Sequence, residues 1–144
     1  MKILVTGAAG FIGSQTAERL LDRGDEVVGI DNRSKRAHLT RAGFRFIKLN
    51  LADSVGILDL FRREKFNRVV HLGAQAGVRY SLQSPLAYAE SNIVGTTNIL
   101  EGCRLNSIEH LVHASTGSVY GKHRRSRLTQ VREQNIRERF GPPN

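Results

Sequence analysis

The chain opens with a short apolar strand that breaks into a glycine-rich turn and continues as an amphipathic helix. The turn contains Gly7, Gly10 and Gly13, and the helix is predicted from about Phe11 to Arg23. Glycine tolerates positive φ, and a helix N-terminus directs free N–H groups and a positive dipole end at an anion. This order of elements predicts a pyrophosphate-binding turn. The spacing G-x-x-G-x-x-G differs from the fingerprint G-x-G-x-x-G, and a turn that binds nothing is the alternative.

A second buried strand, Glu26–Asp31, ends in a carboxylate. Asp31 lies about 20 residues beyond the turn, where such a group accepts hydrogen bonds from an adenosine ribose. Because a carboxylate repels a 2′-phosphate, NAD is favoured over NADP. Arg33, Lys35 and Arg36 follow closely and could accept that phosphate, so NADP stays as the alternative, although we interpret these bases as a solvated loop.

A chain of 144 residues, 40% of them hydrophobic, is long enough for one buried core. No apolar stretch could span a bilayer and no secretory signal is visible, so we expect a cytoplasmic protein with no membrane partner. Cys103, the one cysteine, is predicted to be a buried thiol on the inner face of a helix. Because His71, His110 and His113 lack metal-ligand spacing, we expect core or edge histidines and no metal.

Strands alternate with helices along most of the chain. Further strands are predicted at Phe44–Leu49, Arg68–Leu72 and His110–Ser115, and further helices from Ser54 to about Glu64 and from about Pro85 to Arg104. This alternation predicts an α/β fold, a Rossmann-type doubly wound parallel sheet with strand order 3-2-1-4-5. A dinucleotide would cross the carboxyl ends of the first and fourth strands.

Basic charge is concentrated in residues 122–144. This segment has seven Lys or Arg residues against two Glu, so it carries +5 of the net charge of +9. It shows no pattern of a buried strand. We therefore expect residues 1–121 to form a dinucleotide-binding domain and residues 122–144 to be a separate tail. With one aromatic residue, Phe140, and no recognised motif, the tail is not expected to bind nucleic acid.

Four motifs in order resemble those of extended short-chain dehydrogenases. They are Thr6–Gly13, His71–Ser81, Ser91–Thr96 and Ala114–Gly121. More narrowly, the stretch from Gln75 to Arg104 resembles nucleotide-sugar 4-epimerases that act on UDP-glucuronate, chiefly through Ala76–Ser81. The resemblance covers about residues 1–121 and implies an NAD-dependent epimerase or dehydratase. It also implies that the fold is truncated before its last strands and its substrate domain.

The resemblance implies a cofactor role for three groups of residues. The pyrophosphate loop would consist of Gly7, Gly10, Phe11, Ile12 and Gly13. The adenosine half would contact Asp31, Asn32 and Asn50, the last at a position where the family usually has an aspartate. The nicotinamide ribose would be lined by Leu72, Gly73, Ala74 and Gln75, with Asn92 bracing that region from the long helix. A helix-surface amide is the alternative for Asn92.

The resemblance also implies residues that meet a nucleotide-sugar substrate. Thr116 falls where the family places a catalytic serine or threonine, whose hydroxyl bonds the sugar 4-hydroxyl as hydride leaves C4 for NAD. Arg79 could hold a uronate carboxylate or a phosphate with its planar guanidinium. The alternatives are a threonine that bonds only the backbone and a solvated loop arginine. A second copy of the chain is a further candidate partner, with which it would form a homodimer.

The general base of the family, a tyrosine with a lysine four residues later, has no counterpart here. The residues four positions after Tyr80, Tyr88 and Tyr120 are Ser84, Asn92 and Arg124. We therefore expect no epimerase activity from this chain alone, and we favour a frameshifted or truncated reading for residues 122–144. The alternatives are a non-catalytic dinucleotide-binding module with a regulatory or scaffold role, and a nucleotide-sugar dehydratase or reductase.

Overall fold

Five parallel strands form a single sheet in the computed structural model, which describes residues 1–33 and 41–116. They are β1 (Lys2–Thr6), β2 (Glu26–Asp31), β3 (Phe44–Lys48), β4 (Arg68–His71) and β5 (His110–His113). Their order across the sheet is β3-β2-β1-β4-β5, so the predicted fold class and strand order are confirmed. Some of the expectations concern residues that lie outside the described ranges, namely Lys35, Arg36, Tyr120 and the tail of residues 122–144.

Helices connect the strands and cover both faces of the sheet. They are α1 (Phe11–Asp22), α2 (Ser54–Glu64), α3 (Val78–Gln83), α4 (Pro85–Ala89) and α5 (Gly95–Leu105). The continuous helix expected from Pro85 to Arg104 is wrong in one respect, because a π-helical turn, Glu90–Val94, separates α4 from α5. Apolar periodicity does not distinguish i→i+4 from i→i+5 bonding over a single turn. The six residues of α3 are too few for periodicity, and that helix was not predicted.

Side chains that alternate along the strands build two apolar cores, as a parallel sheet requires. On one face, Leu4, Val28, Ile30 and Val69 pack against Ile57 and Phe61 of α2 and against Ile99 and Cys103 of α5. On the other face, Ile3, Val5 and Val27 pack against Ala17 and Leu21 of α1. Cys103 is buried as predicted, and burial raises the pKa of its thiol to about 12. A thiol with that pKa stays protonated and unreactive at neutral pH.

The strand order brings two distant loops to one edge of the sheet. The chain moves outward from β1 to β3 and then returns to the opposite side of β1 to add β4. The carboxyl ends of β1 and β4 are therefore neighbours, and the loops that leave them diverge around a crevice, which is where ligands bind in open sheets of this kind. Within residues 1–33 and 41–116, no helix is long and apolar enough to cross a membrane.

Candidate functional site

A cavity of about 310 Å³ lies at the carboxyl ends of the strands. Four loops contribute to its wall: those that follow β1, β2, β3 and β4. Nine of the predicted site residues line it: Gly7, Gly10, Asp31, Asn32, Asn50, Leu72, Gly73, Ala74 and Gln75. The others that line it are Ala9, Ile30, Arg33, Leu49, Leu51, Ala76 and Ser91. With Ser91 of the π-helical turn, the fold thus brings residues of five sequence segments to one site.

The turn after β1 leaves no space for side chains at its glycines. Gly7 has φ of +69°, and a Cβ atom there would lie 2.9 Å from the Cα of Gly73. A Cβ on Gly13 would overlap the carbonyl oxygen of Gly7, and the N–H of Gly10 donates to that same oxygen at 2.9 Å. The first N–H groups of a helix have no acceptor within the helix. Gly10, at the N-cap of α1, has no side chain to accept a bond from them, so among the described residues no side chain caps this helix. This geometry suits an anion against the main chain.

Asp31 is held in place by backbone donors. Its Oδ2 accepts a hydrogen bond from the N–H of Ala9 at 3.1 Å, and its Oδ1 accepts one from the N–H of Arg33 at 3.0 Å. The first bond ties the end of β2 to the glycine turn. Because each carboxylate oxygen has two acceptor positions, Asp31 can still accept bonds from two hydroxyl groups. The carboxylate is therefore a fixed acceptor on the wall of the cavity.

Two asparagines act on the wall of the cavity in different ways. Asn50 lines the cavity, and its Oδ1 accepts a bond from the N–H of Ala52 at 3.1 Å, which leaves one lone pair of that oxygen for a ligand. Asn92, on the π-helical turn, lies behind the wall. Its Oδ1 accepts from the N–H of Gln75 at 2.7 Å and its Nδ2 donates to the carbonyl oxygen of Gln75 at 3.0 Å. Asn92 thus fixes the Gln75 backbone from both sides.

Thr6 and His71 form a polar pair under the cavity that the sequence did not reveal. Thr6 ends β1 and His71 ends β4, and the two residues are register partners in the sheet. The Thr6 hydroxyl lies 2.6 Å from Nδ1 of His71, and it accepts bonds from the N–H groups of Leu72 and Gly73. His71 is buried, as expected for a core histidine. A threonine at the end of an otherwise apolar buried strand was the available signal.

The environment of His71 disfavours its charged form. Burial lowers the pKa of His71 from 6.5 to about 4, and repulsion from His113 adds to this. The two rings stack with their centroids 5.1 Å apart, since His71 and His113 are register partners in β4 and β5. His71 is therefore neutral at physiological pH. Among the described residues, no group of three His, Cys, Asp or Glu side chains could hold a metal ion.

The remaining predicted site residues lie outside the lining of the cavity. Phe11 and Ile12, in the first turn of α1, are 85% and 66% exposed. Arg79 is exposed on α3, and Thr116 is exposed three residues beyond the end of β5. The structure does not bring Arg79 or Thr116 to the cavity, and their roles toward a sugar stay predictions.

The model of the NAD dependent epimerase/dehydratase family matches residues 3–144. The chain belongs to this family. NAD is the cofactor of the family. The predicted family is thereby confirmed at the level of NAD-dependent epimerases and dehydratases.

Individual proteins are similar to most of this chain. An uncharacterised 37.6 kDa protein of Escherichia coli O111:H- is 51% identical over 135 residues, which cover 87% of this chain and 40% of that protein. UDP-glucuronate 4-epimerase 4 of Arabidopsis thaliana is 42% identical over 130 residues, which cover 83% of this chain and 30% of that protein. The Thermus thermophilus UDP-glucose 4-epimerase, solved in complex with NAD, matches with a TM-score of 0.79 and 39% identity over 90% of this chain and 42% of its own. This chain therefore spans less than half the length of each relative.

The buried His71 gives the free energy of unfolding a specific dependence on pH. Because its pKa is lowered in the folded state, the unfolded chain takes up the proton first as the pH falls. Above pH 6.5, where His71 is neutral in both the folded and the unfolded chain, we expect the free energy of unfolding to be unaffected by this residue. As the pH falls from 6.5 to about 4, we expect the free energy of unfolding to decrease by on the order of 3 kcal/mol. Most of this interval lies above the range in which carboxylates titrate. Urea unfolding at a series of pH values measures the effect.

Two variants make this pH measurement specific. His71→Asn removes the ionisable ring, so we expect a flatter dependence of the free energy of unfolding on pH. His110→Asn, in the neighbouring strand β5, keeps His71 and serves as the matched control. Equal slopes for the wild-type chain and His71→Asn between pH 6.5 and about 4 would contradict the assignment to His71.

Proposed function

We propose that this chain binds NAD in the cavity at the carboxyl ends of the strands. The observation that carries the proposal is the glycine turn, in which Gly7 and Gly13 leave no room for a Cβ beside a fixed Asp31 carboxylate. A bare main-chain turn at a helix N-terminus suits a pyrophosphate, and a carboxylate about 20 residues later suits a ribose. The Thermus relative, at 39% identity, is a complex with NAD, which supports the proposal.

Each part of the cavity has a role in this proposal. The turn of Gly7 and Gly10, with the first helical residues Phe11, Ile12 and Gly13, would hold the pyrophosphate. Asp31 and Asn32 would accept the hydroxyls of the adenosine ribose, and Asn50 would meet the adenine. Leu72, Gly73, Ala74 and Gln75 would line the nicotinamide ribose, with Asn92 behind them. A carboxylate at position 31 favours NAD over NADP, because it repels a 2′-phosphate.

We propose that a full-length protein that contains this sequence would epimerise a UDP-sugar at C4, with UDP-glucuronate as the substrate. NAD, when bound, supplies the hydride acceptor for such a reaction. Thr116 would hydrogen-bond the sugar 4-hydroxyl, and Arg79 would pair with the uronate carboxylate or a phosphate. The similarity to an Arabidopsis UDP-glucuronate 4-epimerase, at 42% identity, supports this substrate. A dehydratase or reductase would hold the same cofactor with the same residues.

A non-catalytic dinucleotide-binding module is the second candidate function. It is favoured by one specific observation, the absence of a lysine four residues after Tyr80, Tyr88 or Tyr120. On either reading, residues 1–121 would act as the cofactor-binding unit, with residues 122–144 as a tail that is not part of that unit's function. A cytoplasmic location is part of the proposal, and it is consistent with a buried, unpaired Cys103.

Asp31→Asn tests the cofactor site. It keeps the shape of the side chain but removes the charge that strengthens bonds from the ribose hydroxyls, so we expect NAD affinity to fall by about tenfold or more. Isothermal titration calorimetry measures the affinity, and thermal unfolding confirms that the variant folds. Asp59→Asn on α2, which loses an ion pair with Arg63, is the matched control and should bind like wild type. Equal affinity of Asp31→Asn and wild type would contradict the proposed role of Asp31.

The missing tyrosine–lysine pair leads to a second expectation. With UDP-glucuronate and NAD added, we expect this chain alone to form no UDP-galacturonate, the C4 epimer, above the level of a heat-denatured sample. Proton NMR of the anomeric signals measures the conversion, and the Arabidopsis epimerase provides the positive control. Sustained turnover by this chain would show that another residue supplies the general base.

We also propose that two copies of the chain associate through the α4–α5 region. Leu86, Ile93 and Leu100 recur every seven residues there and are 79%, 66% and 38% exposed. Large exposed apolar side chains concentrated in one region are typical of an association surface. We expect Ile93→Glu to shift the chain toward the monomer in sedimentation velocity, whereas Val55→Glu on α2, also exposed and apolar in wild type, should not. A monomeric wild-type chain would contradict the proposal.

A further inference from the structure

One buried hydroxyl holds two consecutive amides in the wall of the cavity. Oγ1 of Thr6 accepts a hydrogen bond from the N–H of Leu72 at 3.1 Å and from the N–H of Gly73 at 2.9 Å. Both of these residues line the cavity, whereas Thr6 is buried beneath it. The orientation of the Thr6 hydroxyl therefore decides whether both amides have an acceptor.

The number of lone pairs fixes that orientation. A hydroxyl oxygen has two lone pairs and one proton. The two backbone donors occupy the lone pairs, so the proton must point at the remaining neighbour, Nδ1 of His71, which lies 2.6 Å away. Nδ1 must then be unprotonated and act as the acceptor. In a neutral ring the proton is consequently on Nε2, which faces Oγ1 of Thr96 at 3.2 Å and donates to it.

We propose that His71 is a positioning residue whose Nε2–H tautomer orients the Thr6 hydroxyl and thereby fixes the Leu72 and Gly73 amides in the wall of the cavity. The role toward NAD rests on the proposed function, since these amides belong to the part assigned to the nicotinamide ribose. The chain of contacts runs from Thr96 on α5 through His71 on β4 to Thr6 on β1. It joins three elements that are far apart in the sequence.

Protonation would reverse the polarity of this chain of contacts. A cationic imidazole donates from both nitrogens, so Nδ1–H would compete with Leu72 and Gly73 for the lone pairs of Thr6. Among residues 1–33 and 41–116, the groups that face the ring are neutral hydroxyls from β1 and α5 and the stacked ring of His113 from β5. None of these is an anion that would stabilise the cation. Burial likewise lowers the pKa of His71 to about 4, so the accepting form persists at neutral pH.

A pair of variants separates positioning from simple space filling. His71→Asn places an amide oxygen at the δ1 position, where it can accept from the Thr6 hydroxyl. His71→Leu has the same number of side-chain atoms other than hydrogen as His71→Asn and the same branching at Cγ, but it has no acceptor. If His71 only fills space, the two variants should behave alike. If it orients Thr6, only His71→Leu should release the two amides.

The experiment is carried out on the ¹⁵N-labelled full chain without NAD. A long-range ¹H–¹⁵N spectrum of wild type reports the tautomer of His71, and we expect the proton on Nε2. Hydrogen exchange is then followed at the amides of Leu72 and Gly73, with the amide of Val28 in the core as the reference. We expect His71→Leu to accelerate exchange at both amides by about tenfold relative to Val28, and His71→Asn to stay close to wild type.

Two results would overturn the proposal. One is an Nδ1–H tautomer in wild type, and this spectrum decides the matter even if His71→Leu does not fold. The other is equal exchange at Leu72 and Gly73 in the Asn and Leu variants. A parallel NAD titration of wild type keeps the two proposals separable, because failure to bind NAD would contradict the proposed function and leave the tautomer result unaffected.

Discussion

Gly7 and Gly73 meet backbone to backbone where β1 and β4 end. A Cβ on Gly7 would lie 2.9 Å from the Cα of Gly73, and a Cβ on Gly73 would lie 2.8 Å from Cδ1 of Leu51 and 3.0 Å from Oγ1 of Thr6. This contact brings the glycine turn and the β4 loop together as two walls of one cavity. Larger residues would push the loops apart, and the Thr6 hydroxyl would lose its two amide donors. The relative position of the glycine turn and the β4 loop depends on this close approach.

Side chains in the walls and behind them keep the site in shape. Asp31 ties the end of β2 to the glycine turn through Ala9, and Asn92 holds both backbone groups of Gln75. Asn98 on α5 donates to the carbonyl oxygen of Leu51, in the loop that follows β3. These bonds satisfy backbone groups that would otherwise be unpaired in loops, and they do so without filling the cavity. These bonds fix the backbone of the cavity walls, and a fixed wall reduces the entropy lost on binding.

The fold was predictable from the sequence because its signals are local. Short apolar runs indicated the strands, the glycine turn marked the β1–α1 junction, and alternation of elements indicated the sheet order. The buried state of Cys103 followed from its place in a helical pattern. The π-helical turn at Glu90–Val94 and the short helix α3 were missed, since one irregular turn or six residues carry too little periodicity.

The candidate site was predictable only in part. Residues in the turns after β1, β2 and β4 lie together because strand ends meet at one edge of a parallel sheet. The pairing of Thr6 with His71 depends on residues 65 positions apart becoming register partners, which no local pattern reveals. Arg79 and Thr116 were assigned by resemblance alone, and neither lines the cavity.

The most direct test of the account is a map of amide chemical-shift changes in the ¹⁵N-labelled chain as NAD is added up to about 1 mM. We expect the changes to cluster at the glycine turn, around Asp31 and at Leu72–Gln75, and to leave α2 and the amino-terminal ends of the strands unmoved. An unchanged spectrum, or changes confined to surfaces away from the cavity, would contradict the claim that this cavity is a dinucleotide site.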